Sequence, residues 1–115
     1  MLHNPQNDLR TIYSVDNLIA WLETRDPNEK FSYTDNHDCM IHRYFTAMGL
    51  SVLRVEPDCY QLSSDPKKDI PYPAELNLIA IFGDGTVEKS LLLAYKVKNN
   101  PNWTLKKMLR SIILV

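Results

Sequence analysis

The sequence predicts an α+β fold: a single domain of four to five helices with a small antiparallel sheet of two to four short strands. Several segments place apolar residues at helical spacing behind a capping residue, which is typical of helices that face a core. Shorter segments alternate in hydrophobicity between turn residues, as strands do. The chain has 115 residues, the size of one domain with its own core. We expect residues 1–10 to form a flexible leader and residues 11–115 to form the domain.

The composition argues against several classes of protein. Hydrophobic residues make up 44% of the chain and charged residues 23%, which is ordinary for a globular protein and unlike disorder or a coiled coil. Thirteen basic and fourteen acidic residues nearly cancel, so the basic footprint of a nucleic-acid binder is absent. The sequence shows neither a secretory signal nor a run of roughly 18 apolar residues that would span a bilayer. Two cysteines in this setting predict free thiols and a cytoplasmic protein.

The first helix is expected directly after residues 11–13, which form either a short strand or a hydrophobic anchor. Ser14 can cap it by accepting a hydrogen bond from an amide of the first turn. The helix should end at Asp26, because Pro27 pushes the preceding residue out of the α region. Trp21 lies off the main apolar stripe of this helix. It therefore either flanks the core or contacts a partner.

The central helix follows a short predicted strand at residues 31–33. The polar residues 34–38 offer several N-caps in a row, and Gly49 is placed to close the helix in the left-handed conformation. The expected apolar face, including three residues that widen the stripe, consists of Cys39, Met40, Ile41, Tyr44, Phe45 and Met48.

In the middle of the chain, two short β-like segments separated by a turn predict a hairpin of residues 51–55 and 60–62. Residues 63–73 are expected to form a loop, and a loop of this length often carries function or mobility. Residues 74–82 are either a short helix, which Pro73 at its start favours, or a strand that enters a second hairpin.

Two further helices are predicted in the C-terminal part. Thr86 caps the first, which ends at residues 99–101 and is expected to bury Val87, Leu91, Ala94 and Tyr95. The second begins at Asn102 or Thr104 and has apolar residues at positions 105, 108, 109, 112 and 113. The apolar end of this helix packs either on the core or on a second subunit, so we expect a monomer or a homodimer formed through it.

The candidate chemistry is sparse. Cys39 and His42 are three residues apart and share a helix face, so both can reach one metal ion, with His37, Asp38 and Cys59 available to complete the site. Structural zinc sites usually have two close ligand pairs, and this chain has only one, so no metal or cofactor is expected. A thiol nucleophile at Cys39 with His37 or His42 as its base is a further alternative. The glycine-containing turn before Thr86 lacks the lysine and the full glycine pattern of a phosphate loop, so it is interpreted as a helix cap.

The candidate contact residues fall in three groups. The acidic, aromatic loop has more polar residues than capping requires, and the helices contribute aromatic anchors and a basic face. The loop residues are Tyr33, Asp35, Asn36 and Asp38; the anchors are Trp21 and Trp103; the basic residues are Lys106, Lys107 and Arg110.

Three segments of the first half of the chain together form a recognisable pattern. They are DNLIAWLE at residues 16–23, FSYTDN at 31–36 and YFTAMG at 44–49, with Pro27 and Cys39 between them. This pattern resembles small uncharacterised proteins encoded by phages and prophages. The resemblance covers roughly the first half of the chain and carries caps and core residues but no catalytic residues. The proline-containing loop at 63–73 and the long C-terminal helix depart from it.

The resemblance implies a protein that binds and inhibits host machinery, as anti-CRISPR and other anti-defence factors do. The expected function is therefore a non-enzymatic inhibitor or modulator of a host bacterial protein, without nucleic-acid or membrane partners. Two alternatives remain open. One is a metal- or thiol-dependent module built on Cys39, His42 and Cys59, and the other is an immunity-type protein that neutralises a toxin.

Overall fold

Helices flank a three-stranded sheet in the computed structural model, which describes residues 9–32, 38–83 and 85–100. The predicted α+β class is confirmed. The elements in chain order are α1 (Leu9–Ile12), α2 (Val15–Glu23), α3 (Met40–Ala47), β1 (Val52–Val55), β2 (Cys59–Leu62), β3 (Asp65–Pro71), α4 (Ala74–Phe82) and α5 (Val87–Asn99). No helix in the described ranges has the length and apolarity needed to cross a membrane.

The start of α2 is as predicted and its end is not. The Ser14 hydroxyl accepts a hydrogen bond from the Asn17 amide at 3.1 Å, which confirms the cap. The helix ends at Glu23, three residues before the predicted Asp26. Its last turn closes because both the amide and the hydroxyl of Thr24 donate to the Trp21 carbonyl, at 3.0 and 2.6 Å.

Two predicted strands are wrong. Residues 11–13 belong to the turn of α1 and its exit, where Ile12 is fully buried, so the hydrophobic-anchor alternative is confirmed. Phe31 and Ser32 are not in a strand either. Lys30 forms a single antiparallel bridge with Thr86, and the Phe31 amide donates to the Gly85 carbonyl. Tyr33, the last residue of that predicted strand, lies outside the described residues.

The central helix, α3, begins one residue later than its apolar pattern indicated. Cys39 is the N-cap, in extended conformation, and its Sγ accepts the amide of His42 at 3.4 Å. Of the predicted caps, Asp38 precedes this position and residues 34–37 are outside the description. Gly49 has φ 98°, and the amide of Leu50 donates to the Phe45 carbonyl at 3.0 Å. The predicted left-handed closure is therefore confirmed, with the hydrogen bonding of a Schellman motif.

The sheet contains the predicted hairpin and one strand that the sequence did not predict. β1 pairs with β2 and β2 with β3, all antiparallel. The prediction of a loop at residues 63–73 is wrong, because β3 occupies most of it. This strand lies at the edge of the sheet, where Pro66 and Pro71 are tolerated and nearly all side chains are exposed. Without an apolar alternation, its sequence does not resemble a strand.

The helical alternative for residues 74–82 is confirmed by α4, and Thr86 caps α5 by accepting the Lys89 amide at 3.3 Å. The buried face of α5 differs from the predicted one. Tyr95 is exposed, and its hydroxyl donates to Glu23 at 2.6 Å. The face that packs inward consists of Val87, Ser90, Ala94 and Val97. The predicted helix from Asn102 or Thr104 lies outside the described residues.

An aromatic cluster joins these elements around Phe45 of α3. Its ring centroid lies 4.8 to 6.1 Å from the centroids of four tyrosine rings: Tyr13, Tyr44, Tyr60 and Tyr72. The hydroxyl of Tyr44 donates to the Ile12 carbonyl at 2.6 Å and accepts from the Asn17 side chain at 2.7 Å. Burial raises the pKa of Tyr44 to about 12, so the phenol stays neutral and can act as a donor at physiological pH.

The contact between α4 and α5 gives a first prediction. A Cβ at Gly83 would lie 2.2 Å from Ser90 Oγ and 2.9 Å from the Ile79 carbonyl. We expect Gly83→Ala to destabilise the fold by about 1–3 kcal/mol through overpacking. The Ser90 hydroxyl is buried and has no hydrogen-bond partner among the described residues, so Ser90→Ala should be neutral or stabilising. Urea unfolding of both variants measures this, and a loss above about 1 kcal/mol in Ser90→Ala would contradict the unpaired hydroxyl.

Candidate functional site

Two arginines are held over neighbouring aromatic rings on one face of the molecule. The guanidinium of Arg25 lies 5.7 Å from the centroid of the Trp21 ring, and that of Arg43 lies 5.1 Å from the Phe31 ring. The two rings are themselves stacked, with centroids 6.1 Å apart. Cations are attracted to the faces of aromatic rings at such distances. The aromatic pair therefore fixes where both positive charges lie.

Two carboxylates complete this arrangement. Glu29 accepts from Nη2 of Arg25 at 2.6 Å and from Nη1 of Arg43 at 3.4 Å, so it joins the two guanidiniums. Asp38 accepts from Nε and Nη2 of Arg43 at 2.9 and 2.8 Å. The arginine side chains keep 41% and 32% of their surface exposed. They are thus oriented by the protein and still accessible to a partner.

A shallow cavity of about 310 Å³ opens beside these arginines, and we call it the arginine groove. Its lining consists of Trp21, Arg25, His42, Arg43, Thr46 and Ala47. Neither Glu29 nor Asp38 contributes to the lining. Among the described residues, the walls of the groove therefore carry two permanent positive charges and no carboxylate.

A second cavity, of about 440 Å³, also has Arg25 in its lining, and we call it the apolar groove. It runs between the C-terminal half of α2 and the first turns of α5, and Leu92 in its wall is 59% exposed. Its lining consists of Leu22, Glu23, Arg25, Pro27, Val87, Glu88, Leu91 and Leu92. Arg25 is common to both grooves.

The predicted contact residues have different positions relative to this face. Trp21 is only 8% exposed and belongs to the core, which was one of its two alternatives. Asp38 is half exposed and bonded to Arg43. The amide of Ser32 donates to the Asp38 carbonyl at 3.3 Å, so the predicted contact loop begins and ends next to Arg43. The remaining candidates lie outside the described residues: Tyr33, Asp35, Asn36, Trp103, Lys106, Lys107 and Arg110.

The sequence analysis missed Arg25 and Arg43. One local signal was available for the first, because Trp21 and Arg25 are four residues apart and such residues are neighbours on a helix surface. No spacing rule links Arg43 to Phe31, since the two come together only through the tertiary structure.

A separate polar cluster lies on the sheet, and we call it the sheet cluster: Arg54, Glu56, Cys59, Gln61 and Asp69. Gln61 is 1% exposed and lies opposite Arg54 in the register of β1 and β2. Its Nε2 donates to Glu56 at 2.9 Å and to Asp69 at 2.7 Å, and its Oε1 accepts from Arg54 at 3.1 Å. The buried carboxamide is therefore hydrogen-bonded to charged groups of β1, of β3 and of the turn between β1 and β2.

The sheet cluster contains the one group of three metal-capable side chains found within the described ranges. The ligand atoms of Glu56, Cys59 and Asp69 all lie within 4.8 Å of one another. Cys39 and His42 do not belong to this group, so the described structure does not bring them together with Cys59. Instead, Cys39 is buried at the N-terminus of α3 as its cap.

The electrostatics of the sheet cluster favour a thiol over a thiolate. Desolvation, the hydrogen bond to Glu56 and the charge of Asp69 together raise the pKa of Cys59 to about 11. Hydrogen bonds from Gln61 and Cys59 lower the pKa of Glu56. A cysteine nucleophile needs the opposite arrangement, with positive groups that stabilise the thiolate. Cys59 is thus set up as a hydrogen-bond donor to a carboxylate.

The raised pKa of Cys59 predicts slow reaction with a disulfide reagent, measured in a Cys39→Ser background. At pH 8 the thiolate fraction should be about 200-fold below that of a free cysteine of pKa near 8.5. The higher nucleophilicity of a more basic thiolate offsets about tenfold of this, which leaves a rate roughly 20-fold lower. The rate should rise up to about pH 11. Asp69→Asn should accelerate the reaction at pH 8, and a wild-type rate equal to that of free cysteine would contradict the assignment.

Replacement of Gln61 tests its place between the carboxylates. Gln61→Glu puts a third carboxylate beside Glu56 and Asp69, so its pKa should lie well above the value of about 4.3 in the unfolded chain. The protonated carboxyl of this variant is better tolerated in the fold than the ionised one. Its contribution to stability is therefore fully present below about pH 4.3 and is lost as the pH rises through the higher pKa of the folded state. We expect a loss of about 3–5 kcal/mol relative to wild type at pH 7 and a smaller loss at pH 4, from urea unfolding. Gln61→Leu is the control: it removes the hydrogen bond that lowers the pKa of Glu56 without adding a carboxylate, so its loss at pH 7 should be smaller than that of Gln61→Glu and should decrease less toward pH 4.

Comparison with protein-family models, with curated proteins and with solved structures finds no match to this chain. The resemblance of its first half to small phage proteins therefore stays an expectation from the sequence. The geometry of the arginine groove, the apolar groove and the sheet cluster is the basis on which a function can be proposed.

Proposed function

We propose that this chain is a non-enzymatic protein-binding protein that inhibits or modulates a host bacterial protein. The observation that carries this proposal is the pair Arg25 and Arg43, held over the rings of Trp21 and Phe31 at the edge of the arginine groove. Arginine and large aromatic residues supply much of the binding energy at protein interfaces. Since both guanidiniums are already oriented, a partner has little side-chain entropy to remove on binding.

The neighbouring apolar groove supports the proposal. An interface typically has an apolar centre and a charged or polar rim. Leu91, Leu92 and Pro27 supply apolar surface in this groove, and Glu23 and Glu88 lie at its margin. The two grooves share Arg25, so a partner that contacts both would cover a larger surface than either cavity alone offers.

The sequence resemblance supplies the context for the partner. A small phage- or prophage-encoded protein with this face would act on host machinery, and anti-CRISPR or other anti-defence activity is the form of inhibition that the resemblance implies. An immunity-type protein that neutralises a toxin would use the same kind of surface. The near-neutral formal charge of −1 supports a protein partner over nucleic acid.

Capture of a partner from a bacterial lysate tests this proposal, with the tagged full chain as bait. We expect one stoichiometric partner, held at least about tenfold more weakly by Arg25→Gln and Arg43→Gln, because each variant removes an oriented cation from the interface. Lys98→Gln is the matched control: Lys98 pairs with Asp16 at 2.9 Å, at the opposite end of α2. Thermal unfolding confirms that the variants are folded. Equal capture by all variants would place the interface elsewhere, and no stoichiometric partner would contradict the binding function.

The second candidate is a metal- or thiol-dependent module. The observation that favours it is the sheet cluster, where Cys59 Sγ lies 3.4 Å from Glu56 Oε2. Two ligands of a tetrahedral zinc ion, at about 2.3 Å for sulfur and 2.0 Å for oxygen, are about 3.5 Å apart. An ion there would have to displace the Gln61 amide from Glu56 and Asp69. One zinc ion per purified chain, lost in Cys59→Ser and retained in Cys39→Ser, would replace the binding proposal by this one.

A further inference from the structure

We infer that the partner presents a carboxylate side chain to the arginine groove, next to a large apolar side chain that enters the apolar groove. This inference rests on the proposed binding function and specifies the chemistry of its partner. It depends on three features of the face: the charge of the arginine groove, the donors that its arginines retain, and the position of Asp38.

The first feature is the charge of the walls. Arg25 and Arg43 both line the arginine groove, and the carboxylates that orient them lie outside the lining. Among the described residues of its wall, a side chain that enters the groove therefore meets two positive charges, while the carboxylates bonded to them lie outside the lining. Electrostatic complementarity at an interface selects a partner group of opposite charge.

The second feature is the set of unused donors. A guanidinium has five N–H groups. In Arg25, Nε and Nη2 donate to Glu29, so these contacts leave both hydrogens of Nη1 available to a partner. Arg43 engages Nε and one hydrogen of Nη2 with Asp38 and one hydrogen of Nη1 with Glu29, so these contacts leave one hydrogen on each of Nη1 and Nη2. A carboxylate has two oxygens, so it can accept from both arginines at once.

The third feature is Asp38, which is bonded to Arg43 in the same manner as an incoming carboxylate would be. Its side chain is 48% exposed, and exposed ion pairs contribute little to stability. A partner carboxylate can therefore replace Asp38 on Arg43 without a large loss. It follows that Asp38 competes with the partner, so Asp38→Asn should strengthen binding. If the acidic loop were instead the contact surface, the same substitution would weaken binding.

Arg25 determines the arrangement of the partner segment. Because it lines both grooves, a carboxylate bonded to it in the arginine groove places neighbouring residues of the partner close to Leu91 and Leu92 of the apolar groove. Leu92 is the most exposed large hydrophobic residue of the described chain, and contact with an apolar side chain would remove it from water. The segment that fits this face thus combines acidic with apolar residues.

The test uses nitrogen-15 NMR of the full chain and three probes. They are a blocked hexapeptide that alternates glutamate with leucine, its counterpart with glutamine in place of glutamate, and inorganic phosphate, each at a few millimolar. We expect the glutamate peptide to shift the Nε–H signals of Arg25 and Arg43 and the amide signals of Leu91 and Leu92. The other two probes should leave these signals in place.

Single substitutions measure how much each residue contributes to the affinity for the glutamate peptide. Arg25→Gln and Arg43→Gln should each lower the affinity for the glutamate peptide by at least about fivefold. Asp38→Asn should raise this affinity by about two- to fivefold. Lys98→Gln, the matched control, should leave the affinity unchanged.

Several outcomes would overturn the inference: no shift with the glutamate peptide, equal shifts with the glutamine peptide, shifts with phosphate alone, or weaker binding by Asp38→Asn. If a stoichiometric partner is captured from lysate while the glutamate peptide gives no shift, the binding function stands and this description of the partner fails. If the peptide binds as expected and no protein is captured, the binding function itself fails.

Discussion

The packing of Phe45 against four tyrosine rings is the interaction on which the rest of the structure depends. Those rings come from the exit of α1, from α3 itself, from β2 and from the segment after β3, so one side chain connects the helices to the sheet. The same helix carries His42, Arg43 and Thr46 on its outer side. The position of the arginine groove is thus determined by the aromatic packing beneath it, because a helix held firmly on one face presents the other face in a fixed place.

Local chemistry explains what the sequence could predict. A cap or a turn depends on one or two residues and their immediate neighbours, so Ser14, Thr86 and Gly49 were recognisable without any tertiary information. The same holds for the hairpin of β1 and β2. The failures depend on contacts between distant segments. The rotation of α5 follows from the close approach of Ser90 to Gly83, and β3 is a strand because β2 supplies its pairing partner, although its own residues show no strand pattern.

The candidate site was less predictable than the fold for the same reason. The sequence analysis selected Trp21 as a contact residue, whereas the structure uses its ring to orient Arg25. Arg43 and Phe31 are twelve residues apart and meet through the tertiary structure, in which the Trp21 ring contacts both Phe31 and Tyr44 of α3. The cross-strand bonds of Gln61 to Arg54 and Asp69 require the register of three strands, one of which was predicted as a loop. Sites assembled by tertiary contacts leave little trace in residue spacing.

The open edge of β3 also limits how a partner can approach. A free strand edge has unpaired backbone N–H and C=O groups that can pair with a strand of another molecule, and proline and lysine residues at the edge hinder this pairing. This edge has both, with Pro66 and Pro71 near its ends and Lys67 and Lys68 between them, all exposed. Extension of the sheet at the β3 edge by a strand of another molecule, whether a partner or an aggregating copy, is therefore disfavoured. At high concentration this edge should not seed fibrils.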